Sequence, residues 1–158
     1  MAERTMSAAA HAHAPPNDDG VGAVAPRPLS IALMLESDGP GGAENMLLQL
    51  ATALRARGHM VTPVGPSNGY GWLAEQFRGR GFDPATFTLR SPVDWRCARG
   101  LVRLFRERGI EVVHSHEFTM AVYGAAAARM AGARHVITMH GGTYFADQMR
   151  RRVALRWA

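Results

Sequence analysis

The pattern of apolar positions in the first regular stretch predicts a buried strand, a glycine-rich turn and an amphipathic helix in direct succession. Residues 31–35 form an unbroken apolar run, which is typical of a strand covered on both faces in a parallel sheet. Beyond the turn, apolar residues recur at helical spacing and predict one buried helix face, made of Ala43, Leu47, Leu50, Ala51 and Leu54. Gly58 stands where a helix C-cap is expected.

The same alternation of short apolar runs and helical patterns continues along the chain. Further strands are predicted at 60–64, 82–89, 111–117 and 135–139, and further helices at 71–80, 93–108, 120–130 and 146–158. Strands and helices alternating at this spacing indicate an α/β fold with a doubly wound, Rossmann-like parallel sheet. Such sheets bind ligands at the carboxyl ends of their strands, so functional residues are expected at that edge.

Composition divides the chain into a leader and one domain. Residues 1–28 are rich in Ala, Pro and His and lack a periodic apolar face, which predicts a disordered leader before a domain at 29–158. No secretory signal or membrane-spanning run is recognisable. Cys97 is the single cysteine and has no partner for an internal disulfide, so a cytoplasmic location is expected.

The charge pattern excludes some enzyme classes. The net charge is +5, and the eighteen basic residues include no Lys, which excludes a Walker-type phosphate loop and a pyridoxal enzyme. The arginines are scattered and accompany no nucleic-acid motif, so no nucleic-acid partner is predicted. The segment 146–158 carries Arg150, Arg151, Arg152 and Trp157, which suits either a peripheral contact with an anionic membrane or an ordinary connecting helix.

The turn at Gly39 to Gly42 is a candidate anion site. No Ser, Thr, Asp or Asn stands at the predicted helix cap, and glycines let a ligand approach the first backbone amides. A simple structural turn is the alternative. A nicotinamide site is disfavoured, because the turn is not G-x-G-x-x-G and no acidic residue follows the second strand.

Two histidine-containing turns join the glycine turn at the expected edge. His116 and Glu117 end one predicted strand, and His140 and Gly141 follow the next. His114 shares a strand face with His116. A metal-dependent hydrolase that uses His114, His116 and His140 is therefore an alternative, although no Asp or further His completes a set of ligands.

Three segments together resemble a known family. The turn GPGGAE at 39–44, the segment EVVHSHEF at 111–118 and the segment VITMHGG at 136–142 look like the N-terminal domain of family 4 retaining glycosyltransferases, which have the GT-B architecture. The resemblance covers about residues 29–158. No single motif is specific, and their order on successive strands carries the similarity.

The resemblance implies a hexosyltransferase-like enzyme that moves a sugar from a nucleotide-diphosphate sugar to an acceptor hydroxyl with retention of configuration. Gly41 and Gly42 would face the donor phosphates, and His140 would be the catalytic residue at the reacting sugar. His116, Glu117 and Gly141 would line the acceptor side. No cofactor or metal is implied.

The family's C-terminal, donor-binding domain has no counterpart in these 158 residues. The chain alone is therefore expected to be inactive, as a fragment or as half of a two-chain enzyme whose partner supplies that domain. A non-catalytic module that binds phosphate or sugar at the same edge is the second alternative.

Overall fold

The computed structural model describes residues 27–67 and 71–140, and five strands and four helices alternate within them. In chain order they are β1 (Ser30–Met34), α1 (Gly42–Ala56), β2 (Met60–Pro66), α2 (Trp72–Gly79), β3 (Ala85–Phe87), α3 (Trp95–Glu107), β4 (Val112–His116), α4 (Phe118–Ala131) and β5 (Arg134–Thr138). The predicted order of elements is confirmed. The predicted leader and the helix at 146–158 lie mainly or wholly outside the described residues.

The five strands form one parallel sheet in the order β3-β2-β1-β4-β5. Strand β1 is central, with Leu33 in register with Pro63 of β2 on one side and His114 of β4 on the other. All five residues of β1 are buried. The sheet therefore has the predicted doubly wound parallel arrangement, and its strand order reverses between β1 and β4.

The two faces of β1 belong to two different core layers. Ala32 and Met34 pack in the cluster that includes residues of α3 and α4, whereas Ile31 and Leu33 pack in the cluster formed with α1 and α2. Successive side chains of a strand point to opposite faces, so a strand between two helical layers needs apolar residues at every position. The unbroken apolar run has this origin.

The ends of the helices follow local chemistry and differ from the predicted bounds by up to two residues, as at the start of α4, which is Phe118 and not Met120. Gly58 has a φ of +86°, the left-handed conformation expected just after α1. Helix α3 begins at Trp95 and not at Val93, because the Asp94 carboxylate accepts hydrogen bonds from the backbone N–H groups of Arg96 and Cys97. Cys97 is buried in the core, and burial raises the pKa of its thiol to about 11, which makes it a poor nucleophile.

Candidate functional site

The turn between β1 and α1 presents helix amides without a side-chain cap. Gly41 is the N-cap of α1, and no side-chain hydrogen bond caps the first amides of the helix. Apart from its chain neighbours and the backbone of its own helix, no described atom lies within 4 Å of a Cβ built on Gly42, so this side of the turn is open. A Cβ built on Gly41 would clash with Oε2 of Glu44. The Glu44 carboxylate therefore covers Gly41, and of these two glycines only Gly42 is open.

Acidic side chains surround this turn. Glu44 is buried in the first turn of α1, where its negative charge is favoured by the helix dipole. Across the edge, burial raises the pKa of Glu117, the nearby charges of Glu36 and Glu44 raise it further, and a hydrogen bond from Ser37 opposes the shift. An anion that binds at Gly42 must approach on the side away from these carboxylates.

Glu117 connects the ends of β1 and β4. The Ser37 Oγ after β1 donates a hydrogen bond of 3.4 Å to Oε1 of Glu117, and the two residues are 80 positions apart. Glu117 has φ 69° and ψ 167°, and it is the one residue other than glycine with positive φ in the described part of the chain. This region of backbone conformation is essentially reserved for glycine, so the residue is strained. Strain of this kind is retained most often at binding and catalytic sites.

Three histidine rings meet at the ends of β4 and β5. His114 and His116 have ring centroids 4.3 Å apart, and Nδ1 of His116 lies 3.1 Å from Nε2 of His140. Nε2 of His114 contacts the Thr138 hydroxyl at 2.8 Å. The parallel pairing of β4 with β5 places these side chains together, since His116 is in register with Thr138.

Burial controls the protonation of two of these rings. His116 is only 1% exposed, and burial lowers its pKa to about 3, with smaller contributions from His114 and His140. Burial also lowers the pKa of His114, with a smaller contribution from His140. Both rings are therefore neutral at physiological pH. A neutral imidazole carries one ring proton, so one of its nitrogens donates a hydrogen bond and the other accepts one.

The structure brings most of the predicted site residues to one edge of the sheet. His116 and His140 are in direct contact, Glu117 follows His116, and the turn at Gly41 and Gly42 follows the neighbouring strand β1. His116 is buried beneath His140, which is partly exposed. Gly141 lies outside the described residues.

Among the described residues, no group of three or more His, Cys, Asp or Glu has the arrangement that holds a metal ion. Among the described helices, none combines the length and hydropathy that crossing a bilayer requires.

A cavity of about 300 Å³ runs along α3 beside the end of β3 and is lined by residues such as Arg90, Arg96 and Arg103, away from the histidines.

Sequence reasoning missed two polar residues beside the glycine turn. Ser37 contacts Glu117, and the Asp38 carboxylate accepts hydrogen bonds from the backbone N–H groups of Gly71 and Leu73 at 2.6 and 2.8 Å. Asp38 thereby caps α2, which has no capping side chain of its own at Gly71. The available signal was the polar run that follows the apolar residues of β1.

Comparisons with solved structures show the same fold. Crystal structures similar to this chain include Anabaena HepE in complex with UDP and glucose (20% identity, TM-score 0.66, 82% of this chain and 35% of that chain) and Acinetobacter baumannii MurG (15%, 0.64, 83% and 40%). The apo form of the lipopolysaccharide outer core galactosyltransferase WaaB is also similar (14%, 0.59, 82% and 38%). The chain thus has the fold of the N-terminal part of GT-B glycosyltransferases and spans well under half the length of these proteins.

The sequence itself carries a family signature. A comparison with curated protein sequences gives no match. The sequence profile of Glycosyltransferase Family 4, however, matches residues 40–158, which include the turn after β1 and both histidine turns. The chain therefore belongs to glycosyltransferase family 4.

Proposed function

We propose that this chain forms the acceptor-side half of a retaining glycosyltransferase that transfers a sugar from a nucleotide-diphosphate donor to an acceptor hydroxyl. The observation that carries the proposal is that the glycine turn and the turns at Glu117 and His140 lie at one edge, beside the point where the strand order reverses. Open α/β sheets bind ligands in the crevice at this point. The complex of the similar HepE structure with UDP and glucose supports the choice of donor.

The glycine turn supplies the donor-phosphate contacts in this proposal. Gly42 is open, and the amides at the start of α1 point out of the helix with the positive end of its dipole. Glu44 covers Gly41, so the diphosphate approaches over Gly42 and Gly41 contributes through its backbone conformation alone. The chain provides one wall of the cleft, and a donor-binding domain provides the other. By itself the chain is inactive.

His140 is the catalytic residue in this proposal, and it contacts the reacting sugar. His140 is partly exposed at the edge and is held from below by His116, so its ring is oriented before substrate binds. Glu117 lines the acceptor side, and Gly141, also predicted there, lies outside the described residues. His116 is too deeply buried to contact an acceptor in the described arrangement and contributes to that side through His140.

Turnover in an assembled enzyme tests this proposal. The chain is joined or mixed with a family 4 donor-binding domain, and transfer is measured with nucleotide-diphosphate sugars, the chain alone serving as the inactive control. His140→Ala is expected to lower turnover by about 100-fold or more while donor affinity changes by less than about threefold, because the lost contact is made mainly in the transition state. Turnover within a factor of two of the unsubstituted enzyme would remove His140 from the mechanism. Donor binding without any turnover would favour a non-catalytic binding module.

A further inference from the structure

The buried ring of His116 has one nitrogen whose environment is unexplained by the fold. Nδ1 faces His140, but Nε2 is fully buried and has no hydrogen-bond partner among the residues that the structure describes. Buried polar atoms are nearly always paired, so an orphaned ring nitrogen in a site calls for a reason. The reason lies in which of the two rings carries the proton of the hydrogen bond between His116 and His140.

The contact between the two rings is a linear, in-plane hydrogen bond. The ring planes are only 12° apart, and the centroids are 5.4 Å apart while the nitrogens are 3.1 Å apart. Two imidazole rings reach this centroid separation only when both contacting nitrogens lie on the line between the centroids. The rings therefore meet edge to edge, with one N–H aimed at one lone pair, which is the strongest geometry for such a bond.

The proton in this bond can belong to either ring, and burial distinguishes the two cases. If His140 donates from Nε2, the proton of neutral His116 must be on its own Nε2, which leaves a buried N–H group without an acceptor. If His116 donates from Nδ1, its Nε2 carries only a lone pair. Orphaned buried N–H groups are rarer and costlier than under-used acceptors. The second arrangement is therefore preferred.

We propose that His116 is a positioning residue that donates from Nδ1 to His140 and so holds His140 in the Nδ1–H tautomer. The Nδ1 of His140 faces away from His116, because Cε1 separates the two ring nitrogens and their outward directions diverge widely. His140 then offers substrate a hydrogen-bond donor and has no free lone pair with which to act as a general base. Its partner is an electron-rich oxygen, such as a sugar hydroxyl or phosphoryl oxygen. The inference rests on the proposed function only for the role of His140.

Nitrogen NMR of the chain labelled with ¹⁵N-histidine tests the assignment directly. Spectra are recorded at about pH 8, above the ordinary histidine pKa of about 6.5. Protonated and bare ring nitrogens have well-separated shifts and different couplings to the ring hydrogens. We expect His116 and His140 both to be Nδ1–H tautomers. His59 is an internal reference of the opposite tautomer, since its Nδ1 accepts a hydrogen bond from the backbone N–H of Leu29 at 3.2 Å. An Nε2–H tautomer at His140 would overturn the proposal without any substitution.

Two variants separate positioning from packing. His116→Phe keeps a flat ring but removes the donor, and we expect His140 to shift toward the Nε2–H tautomer. His116→Asn keeps an amide N–H near the position of Nδ1, and we expect the Nδ1–H tautomer of His140 to persist. A His140 tautomer unchanged by His116→Phe would contradict a positioning role. Loss of transfer in His140→Ala is a separate result, so the tautomer assignment and the proposed function can fail independently.

Discussion

The turns that follow β1 and β4 lie side by side at the same edge of the sheet but are built in opposite ways. The β1–α1 turn uses glycines, and none of Gly39, Gly41 and Gly42 has a positive φ, so the turn exposes backbone amides without strain. The β4–α4 turn passes through the single residue Glu117, which is strained, partly buried and hydrogen-bonded to Ser37. Backbone groups dominate the first turn and side chains dominate the second.

The difference indicates that the two turns have different roles at this edge of the sheet. Exposed amides with an open Cβ position suit a ligand such as a phosphate, which needs close approach and several donors. The histidines beside Glu117 are instead locked by contacts with one another and with Thr138, which suits a group that must be oriented before substrate arrives.

Acidification is expected to destabilise the folded chain strongly through the buried ring of His116. The pKa of His116 is about 3 in the folded chain and ordinarily about 6.5, so below pH 6.5 the ring is protonated in the unfolded chain but stays neutral in the folded chain. The free energy of unfolding is therefore unaffected by protonation of His116 above pH 6.5 and falls as the pH falls toward 3. We expect a loss of about 2.5 kcal/mol between pH 7.5 and pH 4.5, measured by urea unfolding.

His116→Phe is the matched control for this pH dependence. The variant should lose clearly less stability over the same pH interval because it lacks the buried imidazole. The raised pKa of Glu117 has the opposite effect, because it favours the folded chain as the pH falls toward the ordinary glutamate pKa. This effect is common to both chains and cancels in the comparison. Equal pH slopes for the two chains would show that His116 is not the cause.

The strain at Glu117 predicts an unusual order of stability among its variants. Glu117→Gly and Glu117→Ala both remove the carboxyl group, but only glycine relieves the backbone at φ 69°. We expect Glu117→Gly to be more stable than Glu117→Ala by about 1 kcal/mol in urea unfolding.

Glu75 provides the control for that pair. It lies exposed in helix α2 at ordinary φ, so Glu75→Gly should be less stable than Glu75→Ala by about 1 kcal/mol. The sign of the difference should thus reverse between the two positions. The same sign at both would mean that Glu117 is not strained.

The smallest effect on stability is expected at the glycine turn. Gly42→Ala fills open space in the first turn of α1 and should stabilise the chain by a few tenths of a kcal/mol. In an enzyme assembled with a donor-binding domain, its added methyl should weaken donor affinity several-fold by blocking close approach.

Gly100→Ala is the control for Gly42→Ala. Gly100 lies within α3, its Cβ position is also open, and the β1–α1 turn is elsewhere in the fold. This variant should gain helix stability and leave donor affinity unchanged. If Gly42→Ala likewise leaves donor affinity unchanged, the turn is structural and does not bind the donor.

Much of the fold and part of the site could be predicted from local patterns. The burial of both faces of β1 and the absence of a side-chain cap at the start of α1 could be predicted, because each depends on residues that are close together in the chain. The meeting of the glycine turn with the turns at Glu117 and His140 followed from the parallel sheet. The boundary of α3 was wrong by two residues because the capping hydrogen bonds of Asp94 outweigh the apolar pattern there.

The sequence by itself determined the order of the elements, the parallel sheet and the edge at which function is expected, because apolar periodicity records burial residue by residue. Only the tertiary structure decided that Glu44 covers Gly41, that Ser37 reaches Glu117 and that His116 lies buried beneath His140. The last two contacts join residues 80 and 24 positions apart. They depend on which strands are neighbours and in what register, and local periodicity does not contain that information.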